Sequence, residues 1–415
     1  MRILLLAPHP FYVDRGTPID VDILLRALSA RGETVDVVTY GEGEDRVYPG
    51  VTLYRAPTPS WLGAVGPGFS LKKLIADCWL FAKACHLIAT HKYDVIHANE
   101  EAAFLAMWFK FRNGLQYVYD MDSSIAQQLV EKKAVLKPAA FFFNWCEAKA
   151  IRSSLAAAPV CNALAELARK RGARHITTLH DISQLTAADF VPARSLREEL
   201  GLGGIVLMYV GNLEAYQGID LLLESFVHVT PHIDCDLVVA GGTPESIHKY
   251  SEKAHQLGID RQTHFIGPWP ANRLGELLSQ ADILAAPRIR GINTPMKVFP
   301  YMHSGRAVLV TALPTHTQIL NNSVCELASA DPKSFADAII RLARGEERRE
   351  KLGAAGRRFV QTHHTFAAHQ QRVDELYRYV ESELNLIASL PARIVQQTEH
   401  GLNTPMQTKH KENLA

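Results

Sequence analysis

The chain has 415 residues, 47% of them hydrophobic and 21% charged, with a formal net charge of +1. This is the composition of a soluble globular protein long enough for two cored domains, and it excludes a disordered or fibrous chain. The near-zero net charge gives no global attraction to nucleic acid, which is therefore not an expected partner.

In the first half, strands are expected at Ile3–Ala7, Thr34–Thr39, Val51–Arg55, Asp94–His97 and Tyr117–Asp120. Helices fit Pro18–Ala30, Leu71–His91, Ala102–Arg112 and Leu136–Ala157, with short sheet pieces near Pro159–Asn162 and His175–Thr178. The apolar run Met1–Pro8 is too short for a signal-peptide core and reads as a buried first strand. A polar, aperiodic stretch from Asp181 to Pro192 reads as a linker. The second half restarts the pattern with strand Ile205–Gly211, helix Ile219–Val229, strand Cys235–Ala240 and helix Pro244–Leu257. Strand Thr263–Ile266, helix Ala271–Gln280 and strand Asp282–Ala286 follow. Next come a helix opened at Thr294-Pro295 and a strand at Ala307–Val310. Helices Pro332–Arg344, Glu347–Thr362 and Phe366–Ala388 close the pattern, and the polar stretch from Ser389 to Ala415 is expected to be a loose tail. The alternation implies α/β layers: two doubly wound, Rossmann-like parallel-sheet domains facing a cleft, with ligands beyond the carboxyl ends of the strands.

Several strand-end loops carry polar groups suited to that cleft. His9–Pro18 contains Gly16 and a Thr17-Pro18 helix start, suited to an anion or a sugar, although a plain βα turn accounts for it equally. Ala98-Asn99-Glu100-Glu101 offers paired carboxylates for sugar hydroxyls or proton transfer; acids that suit a helix dipole are the alternative. Asp122, followed by Ser123, Ser124 and then Gln127-Gln128, is either a ligand carboxylate or a helix N-cap. Gly211–Gly218 turns from a strand into a helix, with Asn212 and Gln217 as uncharged hydrogen-bonding groups. The richest stretch is Arg290–Leu320. Thr294 and Pro295 have the chemistry of an N-cap and a first helical residue, and Lys297 follows in the first turn, which reads as a phosphate or diphosphate site.

Other chemistries are disfavoured. The sequence contains no HExxH, GxSxG or GxxxxGK[ST] pattern. The pair His363-His364 reads as a solvated helix boundary rather than a ligand set. The six cysteines lack CxxC spacing and read as reduced, mostly buried thiols of a cytosolic protein. No metal and no cofactor are expected.

The segments NTPMKVFPYMHSGRAVLVT, PTHTQIL, YVGNLEAYQGIDLLLESF, DVIHANEEAAFLA and YDMDSSIAQQL resemble bacterial GT-B glycosyltransferases of the large retaining family 4, over Arg2 to Leu386. The resemblance implies an acceptor-side domain over 1–185, a nucleotide-sugar-binding domain over 186–365, and a last helix, 366–388, that crosses back to the first domain. It implies retaining transfer from a UDP- or GDP-sugar to a sugar, lipid-linked or small-molecule hydroxyl, in cell-envelope polysaccharide, glycolipid or glycoconjugate synthesis. Asp122 and Lys297 become the candidate catalytic residues. Gly16, Asn212, Gln217, Arg290, Asn293, Thr294, Thr317 and Gln318 join Lys297 as candidate donor contacts, with Arg288 and Thr315 as further support. Glu100 and Glu101 are the candidate acceptor contacts.

The chain departs from the family pattern at several of these positions. The Arg and Lys that usually neutralise the diphosphate match Asn212 and Gln217, and the usual acidic pair matches Ile292 and Pro300. The family histidine matches Met121 or Asp122. A non-catalytic GT-B binding or assembly partner is thus the alternative reading, and no carboxylate–histidine set for a sugar-nucleotide epimerase is visible. Leu71, Leu74, Ile75, Cys78, Trp79, Ala82 and Cys85 share a helical face beside Lys72, Lys73 and Lys83, after Trp61 and the Gly66–Phe69 turn. A second basic and apolar segment runs through Lys132, Lys133 and Lys137 to Phe141–Phe143. These are either ordinary core helices or contacts with the inner face of the membrane.

Overall fold

The computed structural model describes residues 1–13, 16–57, 61, 63, 65, 70–124, 140–192 and 194–389. The expected tail beyond Ser389, Gln127-Gln128, the Gly66–Phe69 turn and Lys132–Lys137 lie outside the described residues.

The first sheet contains β1 (Arg2–Leu6), β2 (Thr34–Thr39), β3 (Val51–Arg55), β4 (Val95–Asn99), β5 (Tyr117–Met121) and β6 (Ala156–Pro159). They pair in parallel in the order β3-β2-β1-β4-β5-β6. The connecting helices are α1 (Gly16–Ala30), α2 (Leu71–Thr90), α3 (Ala102–Asn113), α4 (Ala140–Ser153) and α5 (Asn162–Lys170). The side-chain period of two divides β1 between two cores. Leu4 and Leu6 pack under α2, α3 and α4, whereas Ile3 and Leu5 pack under α1. Burial on both faces explains why the strand reads as a continuous apolar run.

After α6 (Leu196–Leu200), the second half repeats the plan with β7 (Ile205–Val210), α7 (Ile219–Val229), β8 (Cys235–Ala240), α8 (Pro244–Gln256) and β9 (Thr263–Gly267). It continues through α9 (Leu274–Leu278), β10 (Ile283–Ala286), α10 (Val298–His303), β11 (Ala307–Thr311), α11 (Pro314–Thr317) and β12 (Glu326–Ala328). The sheet order, β12-β11-β10-β7-β8-β9, has the same connectivity as the first. In each sheet the winding reverses beside the first strand, at β1/β4 and at β7/β10, and this is where open α/β sheets leave a crevice. Helices α12 (Pro332–Arg344), α13 (Glu346–His363) and α14 (Phe366–Ser389) follow. Val373, Leu376, Tyr377 and Val380 of α14 enter the core of the first sheet, and Arg31 of α1 pairs with Asp374 at 3.3 Å and Glu381 at 2.7 Å.

Several local expectations change. The helix expected to run through Ala157 ends at Ser153, where the Ser153 and Ser154 hydroxyls donate back to helix carbonyls. Ala156–Pro159 then becomes a strand; sheet pairing with β5 overrides the helical preference of alanine. His175–Thr178 contributes an isolated bridge at Ile176 rather than a strand. Helix α5 and strand β12 were hidden between expected elements. The helix expected to open at Thr294 starts one turn later, at Val298, because Pro295 to Lys297 form a turn closed by Val298 N–H to the Pro295 carbonyl at 3.0 Å.

Candidate active site

A cavity of about 680 Å³ lies at the two switch points. From the first sheet it takes Gly16, Thr17 and Asp20 after β1, Glu100 after β4, and Asp122 and Ser123 after β5. From the second it takes Gly211, Asn212 and Gln217 after β7, and Arg288, Asn293, Thr294 and Lys297 after β10. A chamber of about 590 Å³ adjoins it, sharing Val210, Gly211, Asn212 and Trp269 and extending to Gly241, Gly242 and Thr243. The size and mixed lining suit a substantial polar ligand.

The second-domain wall is cationic. Lys297 Nζ donates to Tyr209 Oη at 2.7 Å, and Tyr209 in turn donates to the Asn212 carbonyl at 2.5 Å. This chain fixes the ammonium relative to the β7 loop. Burial, followed by the nearby Arg288 cation, holds Lys297 well below the ordinary lysine range. Arg288 donates to the Arg290 carbonyl at 2.7 Å and to the Asn293 carbonyl at 3.3 Å, and sits over Tyr216. Among the described residues no carboxylate lies within ion-pair distance of either cation, and the Asp181 carboxyl attracts Arg288 only from farther off; both cations are desolvated, an arrangement that an incoming anion stabilises. The Thr294 hydroxyl is buried without a partner among the described residues, beside the same cavity. Gly211 permits this packing: its φ is +147° and a Cβ there would run into Lys297 Nζ. Gly218, φ +80°, lies against the Pro287 carbonyl in the same way.

The first-domain wall is acidic. Asn99 Nδ2 donates to Asp120 at 3.0 Å and to Asp122 at 3.2 Å. Burial, then Asp120 and Glu100, pushes the Asp122 carboxyl well above its usual range. Burial and the facing Asp181 carboxylate do the same to Asp20, and burial lifts Asp181 to about 6. Glu100 accepts from Ser123 at 3.0 Å and adopts φ +48°, a left-handed backbone that is costly for a residue with a Cβ. Such strain at a cavity is held by its surroundings.

Several expected contacts are placed elsewhere. Glu101 is half-buried, paired with Lys73 at 2.5 Å, and does not line the cavity; desolvation lifts its carboxyl to about 8. Arg290 is exposed outside the lining, because Arg288 rather than Arg290 points inward from this loop. Thr317 is exposed, its hydroxyl spent on the Leu313 carbonyl. Gln318 is a tie between the domains: its Oε1 accepts from Ala163 N–H at 3.0 Å while its Nε2 donates to the Ile292 carbonyl at 2.7 Å. Thr315 donates to the Asn293 carbonyl at 2.6 Å, and Asn293 Nδ2 reaches across to the Asp122 carbonyl. The Thr315–Gln318 segment is therefore a domain clamp that braces the Asn293 loop, not a cradle around the ligand. His364 is no solvated boundary; it is buried, stacks on Phe299 and bonds the Asp181 carbonyl at 2.9 Å.

Asp20, Asp181, Tyr209, Tyr216 and Trp269 are cavity or cavity-support residues that sequence reasoning did not single out. Asp181 fell in the stretch read as a linker. An Asp three residues after the expected sheet piece His175–Thr178 was the available signal. Among the described residues no group of three or more His, Cys, Asp or Glu is arranged to hold a metal ion.

Fold and site together define a two-domain α/β protein whose cleft has two buried cations on one wall and a group of carboxyls on the other. The family model described as Glycosyl transferase 4-like domain matches residues 16–190, and that described as Glycosyl transferases group 1 matches residues 194–359. The chain belongs to the GT-B glycosyltransferases of the family-4 type. It is similar to the D-inositol 3-phosphate glycosyltransferase of Corynebacterium efficiens, 26% identical over 197 residues, 42% of this chain and 43% of that protein. The match thus spans less than half of that relative's length. It is also similar to the phosphatidyl-myo-inositol mannosyltransferase of Mycobacterium leprae, 23% identical over 373 residues, 86% of this chain and 91% of that protein. Among solved structures, HepE of Anabaena in complex with UDP and glucose superimposes with a TM-score of 0.69 at 16% identity, covering 91% of this chain and 99% of its own.

Proposed function

We propose that the protein transfers a glycosyl residue, with retention, from a nucleotide-diphosphate sugar to an acceptor hydroxyl, in the synthesis of an envelope polysaccharide, glycolipid or glycoconjugate. The observation that carries this reading is the pair of desolvated cations, Lys297 and Arg288, at a cleft wall, with no carboxylate in ion-pair contact among the described residues. A donor diphosphate supplies the missing counter-charge, and the buried Thr294 hydroxyl supplies a further hydrogen bond. The adjoining chamber past Gly241 and Gly242 has room for the nucleoside. HepE was solved with UDP and glucose, which supports a UDP-sugar as the first donor to try. The curated relatives named for inositol-containing compounds support polyol or sugar hydroxyls as acceptors.

Catalysis of this kind rests on stabilising the departing diphosphate while an acceptor hydroxyl attacks the same face of the sugar. Lys297 and Arg288 perform the first task. Asp122, whose raised pKa keeps it protonated to higher pH than an ordinary carboxyl, hydrogen-bonds the acceptor without repelling the diphosphate. Glu100, held by Ser123, orients a second hydroxyl.

The neutral Asn212 and Gln217 at the cavity favour the second reading, a protein that binds nucleotide sugar without turning it over. Thermal-shift and product assays with UDP-, GDP- and ADP-sugars separate the two. Stabilisation with product formation supports transfer, stabilisation alone supports binding only, and no shift with any nucleotide removes both.

A further inference from the structure

Helices α2, α3 and α4 form one layer over the first sheet. Phe81 of α2 meets Trp108 of α3 edge-on at 5.0 Å, and Lys110 of α3 caps the Ser153 carbonyl of α4 at 2.8 Å. Their inner faces supply Leu80, Ala106, Phe109 and Ile151 to the core. Their outer faces leave Trp79, Trp108, Phe111, Phe141, Phe142 and Trp145 exposed, Phe111 by 90% and Phe141 by 82%. Leu71 and Leu74 extend the patch along the first turn of α2. A soluble monomer seldom leaves so many large side chains on one layer uncovered.

Charge selects the occupant. The acids of the three helices are Asp77 and Glu147, and both turn inward: Tyr40 donates to Asp77 at 2.5 Å, and fully buried Glu147 pairs with Arg171. The outward charges are basic: Lys72, Arg112, Lys149 and Arg152. Lys149 lies 5.3 Å from the Trp145 ring, an aromatic and a cation side by side. Aromatic side chains interleaved with exposed cations, and no outward acid among these residues, match the interface of an anionic bilayer. No described helix is long and apolar enough to cross a membrane, so the contact is interfacial.

We propose that the outer face of α2, α3 and α4 docks on an anionic lipid surface. Helices that follow parallel strands begin at the cleft end of the sheet. Leu71, Leu74, Phe141 and Phe142 therefore lie toward the cavity, and Trp108 and Phe111 lie farther along the layer. Lys73, in the first turn of α2, joins this rim to the cavity by pairing with Glu101 and, at 3.6 Å, with Glu100. If the proposed transfer is correct, a bilayer-borne acceptor enters over this rim. The docking itself does not depend on that reading.

Flotation of the full chain, without nucleotide, with phosphatidylcholine vesicles and with vesicles also containing phosphatidylglycerol tests the face. Recovery with the anionic vesicles alone is expected, falling as salt rises. The variant Phe111→Glu/Phe141→Glu, at the two most exposed rings, is expected to bind at least about tenfold more weakly, as is Lys149→Glu/Arg152→Glu at low salt. Both should keep the wild-type melting temperature and nucleotide shift, which separates loss of docking from loss of fold or of the transfer site. Equal binding to neutral vesicles, no flotation, or undiminished binding by both variants overturns the proposal. So does a concentration-dependent dimer that protects the tryptophans without lipid, which would make a second copy the occupant.

Discussion

On the first-domain wall of the cleft, Asp20, Glu100, Asp122 and Asp181 crowd together, and burial lifts three of them toward the protonated state. Across the cavity, Arg288 and Lys297 stand desolvated with backbone carbonyls and a phenol as partners. Asp20, Asp122 and Asp181 relieve their repulsion by holding protons more readily, whereas the buried Lys297 ammonium is relieved by losing its charge or by gaining an anion. One wall thus carries less negative charge than its four carboxyls suggest and is rich in hydrogen-bonding groups, and the other holds two buried cations with no carboxylate in ion-pair contact among the described residues. This is the division that the proposed acceptor hydroxyl and donor diphosphate require, and under that proposal Lys297 and Arg288 take the role left open by neutral Asn212 and Gln217.

The cationic wall offers the largest effect. Lys297→Met should lower kcat/KM by about 10²–10³, with the melting temperature unchanged or raised because an uncompensated buried ammonium is removed. Wild-type kinetics in that variant would dismiss the wall as a donor site. Gly211→Ala should displace the ammonium, since the new Cβ meets Nζ, and lower turnover by about tenfold or more. Steady-state kinetics would show this as a fall in kcat rather than only a rise in KM.

On the acidic wall, Glu100→Gly should raise unfolding free energy by about 1 kcal/mol through relief of the positive φ, while weakening acceptor use. A destabilised variant in denaturant titration would mean that the strain is absent. The smallest effect tests how Asp181 is held. Burial pushes His364 down to about 3 and His180 to about 4. The unfolded chain protonates these groups near the ordinary histidine value, so their stability is complete above about pH 6.5 and is lost as pH falls toward the folded values. Melting curves across that window should fall with acid, and His364→Phe should flatten the slope. An unchanged slope in that variant would exclude His364 from the acid response.

Much of the fold was legible because period-two and continuous apolar runs mark strands regardless of tertiary detail, as in β1 and β7. The strand Ala156–Pro159 was not legible, because four small residues carry no period. In the site, the loops were legible but the direction of side chains was not. Lys297, Asn212, Gln217, Glu100 and Asp122 do line one cavity, while Gln318 and Thr315 in an equally polar segment turn to the other domain. Arg288 and Arg290 are two residues apart in one loop, and the Arg290 and Asn293 carbonyls and the Tyr216 ring hold Arg288 at the cavity while Arg290 stays exposed. Asp181 joins the site through His364, a contact 183 residues away in sequence.

The central claim is that a diphosphate completes the Lys297–Arg288 wall. Calorimetric titration of UDP or GDP at mildly alkaline pH, in buffers of different ionisation enthalpy, tests it directly. A bound diphosphate raises the depressed Lys297 pKa, so binding takes up protons and weakens as pH rises. Proton uptake that disappears in Lys297→Met is the predicted result. Tight nucleotide binding with no proton exchange, and with the same affinity in that variant, would contradict it.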